Sequence, residues 1–466
     1  MEYSTFLEKS GIMQKDYQEH AVKWCVQLEK HTDPLLPICG GIVADEMGLG
    51  KTIMMISVFA VNFVPKTLII LPNILVEQWQ QEIYRTTKHK ALLYHGNNKK
   101  RITLKQLQST DTYPIVLTTY SALVNTESLL FSVKWDRIVF DEAHHLRNKN
   151  KRYCGALLLK RDITWLLTGT PVQNRKSDFY NLCSVLNIPS SYYKTKEGVT
   201  EIMTKFIMRR TKLQVGINIP GCTIEKRIVV WKNKAEKEMS ENIHKAIKHA
   251  TNETRLSLYL QARQCCILPE LAMRTQEIVE KSADDNDTIQ QGGEELSFTY
   301  KYTSKMDAVV ATITERKDNG CGKLVFCHFK KEIDFIFQTL KRNGIENILI
   351  FDGRSNQRKR LQDIKEAYDV ILLQIQTGCE GLNLQKYFSE VYFTSPNWNP
   401  FVEDQAIARC HRIGQNKEVN VFKFEMRDFV NRDPETQEEI KINTLDHYIR
   451  KMHLKKYNII SQLVEK

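Results

Sequence analysis

The chain has 466 residues, 42% hydrophobic and 26% charged, with a mean hydropathy of −0.40. That length exceeds one ordinary core and fits two or three domains, and no apolar run approaches the roughly 18 residues that a membrane span needs. A formal net charge of +12 and a pI of about 9.0 suit a polyanionic partner, while the opening MEYSTFLEKSG lacks the basic-then-apolar layout of a secretory signal, so residence inside the cell with no membrane partner is expected.

Short β-rich runs alternate with amphipathic stretches, the pattern of βα units around a mostly parallel sheet. In the first half, strands are expected at 41–44, 67–71, 91–94, 115–119, 137–140 and 164–168. The rhythm stops near 203–212. A helical stretch follows at 231–271, then an acidic, polar, glycine-containing segment at 281–297 that reads as a mobile loop. From Lys305 the rhythm resumes, with strands at 323–328, 347–351, 370–374, 390–394 and 419–424, and a packing helix over 444–464. The expected plan is an ATP-binding α/β lobe over 1–215, a linker and helical insertion over 216–303, and a second lobe with a closing C-terminal helix over 304–466. Eleven cysteines at irregular spacing, with no CxxC pair, read as small buried residues of a reducing compartment, and no four-ligand zinc spacing is present.

After the strand GGIVA comes Asp45-Glu46-Met47-Gly48-Leu49-Gly50-Lys51-Thr52, then the apolar run IMMISVFAV. A phosphate-binding loop needs glycines that let backbone N–H groups turn inward, and a helix N-terminus facing negative charge. It also needs a lysine for the β- and γ-phosphates and a hydroxyl for Mg²⁺. Gly48, Gly50, Lys51 and Thr52 meet those needs, but the strict pattern wants glycine where Asp45 stands. The run Arg137-Ile-Val-Phe-Asp-Glu-Ala-His-His145 ends an apolar strand in two carboxylates. Asp141 would hold Mg²⁺ and Glu142 would orient or deprotonate the attacking water. In Leu166-Leu-Thr-Gly-Thr-Pro-Val-Gln-Asn174, Thr168, Gly169 and Thr170 could sense the γ-phosphate and pass the change onward. Arg409 and Arg412, in Gln405-Ala-Ile-Ala-Arg-Cys-His-Arg-Ile-Gly-Gln415, are three apart, so a helical turn would put both on one face.

Together, DEMGLGKT, DEAHH, LTGTPVQN and HRIGQ resemble, in order and spacing, the SWI/SNF-type DNA translocase ATPases of helicase superfamily two. SPNWNP at 395–400 and Gly378 and Gly381 in TGCEGLNL match as well, SKMDAVV at 304–310 resembles the entry to the second lobe, and CHRIGQ and RQCC look most like the repair and damage-tolerance branch. The zinc RING insert common in that branch has no counterpart here. The resemblance implies two tandem RecA-like P-loop lobes with parallel sheets, ATP and Mg²⁺ as cofactors, and an ATPase that translocates on double-stranded DNA as a monomer. It also implies that both lobes share one nucleotide, with Gln18 reading adenine, the loop from Asp45 to Thr52 and Gly381 binding ATP, and Arg409 and Arg412 acting as arginine fingers. DNA contacts are implied at 72–79, Thr118, Thr119, Gln173, Asn174 and 353–360, including Arg360, on sequence-tolerant phosphate contacts. Trp79 either supports that track or belongs to the core, and Arg209-Arg210 and 99–101 are further candidate phosphate contacts. Gln376 stands where many relatives carry a basic residue. Nucleosome, repair or transcription partners and a nuclear, nucleoid or viral-factory location all fit such a motor. A strand-separating helicase is the alternative, and a scaffold with dead ATPase motifs is disfavoured by the intact Lys51, Asp141, Glu142, Arg409 and Arg412.

Overall fold

The computed structural model describes residues 2–31, 36, 38–109, 113–169, 175–272, 303–354, 368–375, 383–432 and 438–464. Thr170, Gln173, Asn174, Arg360, Gln376, Gly378, Gly381 and the segment 281–297 lie outside the described residues. The chain forms two compact units, one of Met1–Asn218 with Lys456–Lys466, the other of Ile219–Lys455.

In the first unit, β1 (Cys39–Val43), β2 (Thr67–Leu71), β3 (Leu92–Leu93), β4 (Ile115–Thr119), β5 (Trp135–Asp141), β6 (Arg161–Leu167) and β7 (Ile207–Met208) form one sheet in the order β3-β4-β2-β5-β6-β1-β7. Every pairing is parallel. The runs TLIIL and IVLTT are buried along their whole length, as a sheet covered on both faces requires. The helices Asp16–Glu29, Lys51–Val61 and Val76–Thr87 contribute Val22, Met55, Val58, Trp79 and Ile83 to the same apolar core. One polar group threads that core. Glu29 receives Arg137 through Nε at 2.6 Å and Nη2 at 2.5 Å, and the indole of Trp165 at 2.8 Å, so the charge pair is fully hydrogen-bonded although both side chains are inaccessible.

In the second unit, β8 (Cys222–Val229), β9 (Gly322–Cys327), β10 (Ile348–Phe351), β11 (Val370–Gln374), β12 (Phe388–Phe393) and β13 (Val419–Met426) form a second parallel sheet, ordered β10-β11-β9-β12-β13-β8. A hairpin of β14 (Phe429–Arg432) and β15 (Glu439–Ile442) precedes the helix Leu445–Val464. Lys305 is almost fully buried and donates to Asp446 at 2.6 Å, while Ser395 donates to the other carboxylate oxygen at 2.8 Å. Burial opposes the charge on Asp446, but Lys305 and these hydrogen bonds hold its carboxyl below the usual range.

The α/β class with two parallel sheets is as expected, and three local readings change. β7 lies where the rhythm was expected to stop, because two residues carry no period. β8 lies in the expected linker and pairs with β13 along all eight of its residues. Its alternation is hidden because an edge strand rich in charge (TIEKR) reads as polar connection. The helix Asn252–Ile267 joins the core of the second unit through Ala262, Cys266 and Ile267, and Ile243 and Ile247 of the helix Lys234–Lys248 pack against that core. The compact units divide between Asn218 and Ile219, and the helical stretch falls in the second unit.

Candidate nucleotide site

β5, β6 and β1 are neighbours, and their register sets Asp141 beside Leu167 and Leu167 beside Val43. Three parallel strands thus end in one row, and the loops that follow them gather at the carboxyl edge of the sheet, where α/β folds bind ligands. After β1 the chain turns through Gly48 at φ 91° and Gly50 at φ 86° into the helix Lys51–Val61. Both values lie in the left-handed region that only glycine adopts without strain, and a Cβ on Gly50 would also strike the Gln18 amide at 2.6 Å. Gln18, buried on the helix Asp16–Glu29, donates to the main-chain carbonyl of Leu49 at 3.0 Å, and Tyr17 donates to the same oxygen at 3.2 Å. Thr52 follows Lys51 in the first turn of its helix and is half-buried.

Asp45, the residue that breaks the strict glycine pattern, has a structural partner. Its carboxylate is fully buried and accepts from Arg210 through the backbone N at 3.0 Å, Nε at 3.1 Å and Nη2 at 2.5 Å. Arg210 also donates to the Tyr17 carbonyl at 2.5 Å. Glu46 continues the clamp, taking the Lys212 backbone N at 2.8 Å and its ammonium at 2.8 Å. The residues just past β7 thus fasten the start of the loop. The pair Arg209-Arg210 divides accordingly: Arg209 is exposed, whereas Arg210 is a clamp and not a phosphate contact. Asp45→Gly, which restores the strict pattern, should therefore destabilise the chain by about 3–5 kcal/mol, because it leaves the Arg210 charge without its partner. Urea unfolding reads this directly, and a midpoint equal to wild type would refute the clamp.

At the end of β5, Asp141 is 7% exposed. Its Oδ2 accepts the Trp79 indole N–H at 2.7 Å, its Oδ1 accepts the Glu142 N–H at 2.9 Å, and its main-chain carbonyl accepts the Tyr120 hydroxyl at 2.7 Å. Burial and the neighbouring Glu142 push its carboxyl up to about 6, against the pull of Trp79, Lys51 and the Glu142 N–H. Glu142 itself has φ 49°, a left-handed conformation costly for a residue with a side chain and of a kind that gathers at functional sites. Its Oε2 lies 3.3 Å from His144 Nδ1; the His144 ring stacks on His145 at a centroid distance of 4.8 Å, and the Tyr120 ring packs tilted against His145 at 4.9 Å. Lys51 donates to the Asp45 carbonyl at 2.7 Å. Burial lowers its pKa, while Glu142 and Asp141 hold it up. Two adjacent acids therefore act on one buried lysine. That surplus of negative charge fits a divalent cation, and the hard oxygen donors of Asp141 and Thr52 suit Mg²⁺. Among the described residues no group of three or more His, Cys, Asp or Glu is placed to cage a metal, so phosphate oxygens and water would complete its shell.

Thr168 is fully buried, with its N–H on the Val43 carbonyl at 3.1 Å. A Cβ on Gly169 would meet Met47 at 3.2 Å and come within 3.9 Å of the Lys51 ammonium. This brings Thr168 and Gly169 to the loop. Thr118 and Thr119, the candidate DNA contacts after β4, are buried. The Thr118 hydroxyl donates to the Tyr94 carbonyl at 2.8 Å, and that of Thr119 pairs with Ser121 at 2.8 Å. Their hydroxyls serve the fold, because β4 is covered on both faces. Arg354, in the segment expected on the track, is held by Asp334 at 2.6 Å and Asp352 at 2.5 Å.

In the second unit, the helix Pro400–Ile407 stops before Arg409, and both arginines stand in the turns beyond it, not on a helical face. Tight bonds end the helix: Arg409 N–H to the Ala406 carbonyl at 3.1 Å and Arg412 N–H to the Cys410 carbonyl at 3.0 Å. Gln415, buried, donates to the carbonyls of Phe388 and Cys410, and Gly414 takes φ 93°. The GQ of HRIGQ therefore shapes the turn that presents the arginines. Arg412 donates to Asn383, and partial burial and the nearby Arg409 lower its pKa to about 10.

Sequence spacing carried no sign of Trp79 as a partner of Asp141, of Tyr120, or of the Arg210–Lys212 clamp. Each acts across more than fifteen residues of chain through the parallel order of the strands.

A family model described as the SNF2-related domain matches residues 17–271, and one described as the helicase conserved C-terminal domain matches residues 304–414. Among curated proteins, an uncharacterized ATP-dependent helicase of Mycoplasma genitalium is 30% identical over 88% of this chain and 40% of its own length. The ATP-dependent DNA helicase DDM1 of Arabidopsis thaliana is 28% identical over 89% of this chain and 59% of its own. The ISWI chromatin-remodeling complex ATPase ISW2 of Saccharomyces cerevisiae is 26% identical over 89% of this chain and 39% of its own. The chain thus spans between 39% and 59% of the length of these relatives. A solved SWI2/SNF2 ATPase core of Sulfolobus solfataricus in complex with dsDNA is 25% identical, covering 88% of this chain and 87% of that one at a TM-score of 0.41.

Proposed function

The chain belongs to the SNF2-related domain family, and from that premise we propose that it is an ATPase that translocates on double-stranded DNA and remodels protein–DNA complexes. The observation that carries this reading is the row of loops after β1, β5 and β6, which sets Lys51 under the joint influence of Asp141 and Glu142. Lys51 binds the β- and γ-phosphates of ATP, and Gln18 and the loop backbone from Asp45 to Thr52 hold the rest of the nucleotide. Thr52 and Asp141 would hold Mg²⁺, which would supply charge neutralisation at the phosphates. Glu142 takes the proton of the attacking water. Thr168 and Gly169, lying against the loop, relay the loss of the γ-phosphate; the roles given to Thr170 and Gly381 rest on the sequence resemblance. The arginine-finger role given to Arg409 and Arg412 rests on the sequence resemblance.

The basic net charge supports a phosphate-backbone grip with little sequence preference and strong salt dependence. CHRIGQ and RQCC support a place near the repair and damage-tolerance branch, and the name of the chromatin-remodeling relative supports chromatin as a substrate complex. The place of action is the cell interior, with the duplex.

The test is ATP turnover with no nucleic acid, single-stranded DNA, duplex DNA and RNA, run beside an unwinding assay. Duplex should stimulate turnover most, with no strand separation. Unwinding would favour the strand-separating helicase, and an absence of turnover under every condition would overturn the ATPase reading itself.

A further inference from the structure

Asp141 is held on three sides by groups that the phosphate loop does not supply. The indole of Trp79 donates to Oδ2, the Glu142 N–H to Oδ1, and the Tyr120 hydroxyl to the main-chain carbonyl. Trp79 is 1% exposed and Tyr120 3%, so water does not compete for either bond. Each donor enters from a different strand end. Trp79 lies in the first turn of the helix Val76–Thr87, which follows β2, and Tyr120 is the residue after β4. In the order β4-β2-β5 those two strands are stacked outward from the one that carries Asp141.

An indole N–H can only donate, so its bond to the buried Oδ2 ties that oxygen to Trp79 and sets the orientation of the carboxylate. It also fixes which lone pairs of Asp141 remain for another ligand. We propose that Trp79 is a positioning residue for the divalent cation: its N–H holds the Asp141 carboxylate in one rotamer, and Tyr120 fixes the backbone beneath it. This rests on the ATPase reading, in which Asp141 is a metal ligand. Outer partners of this kind typically contribute about 10- to 100-fold in metal affinity.

The test uses the full chain and Mn²⁺ as the probe, titrated by electron paramagnetic resonance in the presence of ADP. Trp79→Phe keeps a buried aromatic ring and removes the donor. It should weaken Mn²⁺ by about 10- to 100-fold, leave ADP binding in EDTA at the wild-type value, and regain turnover when Mg²⁺ is raised. A merely structural role would not produce that rescue. If Trp79→Phe does not fold, replacing Trp79 with its benzothienyl analogue, in which sulfur takes the place of N–H, asks the same question with the packing kept. Wild-type Mn²⁺ affinity in the folded variant would overturn the proposal. Failure of the wild-type chain to bind Mn²⁺ with ADP would instead overturn the ATPase reading on which it rests.

Discussion

Glu142→Gln should lower ATP turnover by about 10²–10⁴-fold, the range that a positioned general base contributes, while ADP and ATP still bind. The substitution is nearly isosteric, so it separates chemistry from shape. The left-handed backbone at φ 49° costs glutamine about what it costs glutamate, since both carry an unbranched Cβ. The His144 contact at 3.3 Å can persist with an amide. What disappears is a proton acceptor beside Lys51 and Asp141. Asp141 also loses one of the two causes that push its carboxyl up to about 6, namely burial and the Glu142 charge. Retained nucleotide binding with lost turnover, measured by equilibrium fluorescence and phosphate release, is the expected pair of results. Turnover equal to wild type would remove Glu142 as the base.

Much of this site was legible because its parts are local. Glycines before a Gly-Lys-Thr predict a left-handed turn into a helix, and Gly48 and Gly50 supply it. An apolar strand ending in two acids predicts β5 and the place of Asp141. The parts that sequence did not show depend on strand order, which period and spacing do not encode. Asp45 looked like a defect in a phosphate loop, and is instead the anchor of a clamp to Arg210, 165 residues away. The strand β7 that brings Arg210 there is two residues long. Trp79 could be read as a core residue or as a support for the DNA track. It is buried, and its one polar atom reaches Asp141. In the second unit, Arg409 and Arg412 were expected on a helical turn, but i→i+3 bonds close the helix before them. Of the candidate DNA contacts, Thr118 and Thr119 end a strand covered on both faces, and their hydroxyls have internal partners.

Arg412→Ala should have the larger kinetic effect, a loss of about 10³–10⁵-fold in turnover if its guanidinium meets the transferred phosphoryl group. The geometry gives a reason beyond the motif. Arg409 and Arg412 are set close enough that partial burial and the Arg409 charge together lower the Arg412 pKa to about 10. Two like charges so placed repel, and an anion that accepts from both relieves that repulsion. Arg412 remains charged at neutral pH, so its removal takes away a full positive charge and a planar fork of donors. Arg412→Lys restores the charge without the fork and should recover only part of the rate. Because Gln415 and Gly414 shape the turn independently of the Arg412 side chain, the melting temperature should hold. Single-turnover hydrolysis beside ADP binding reads the outcome: slowed chemistry with intact ADP affinity is expected, and an unchanged rate would exclude Arg412 from the reaction and leave Arg409 to be tested alone.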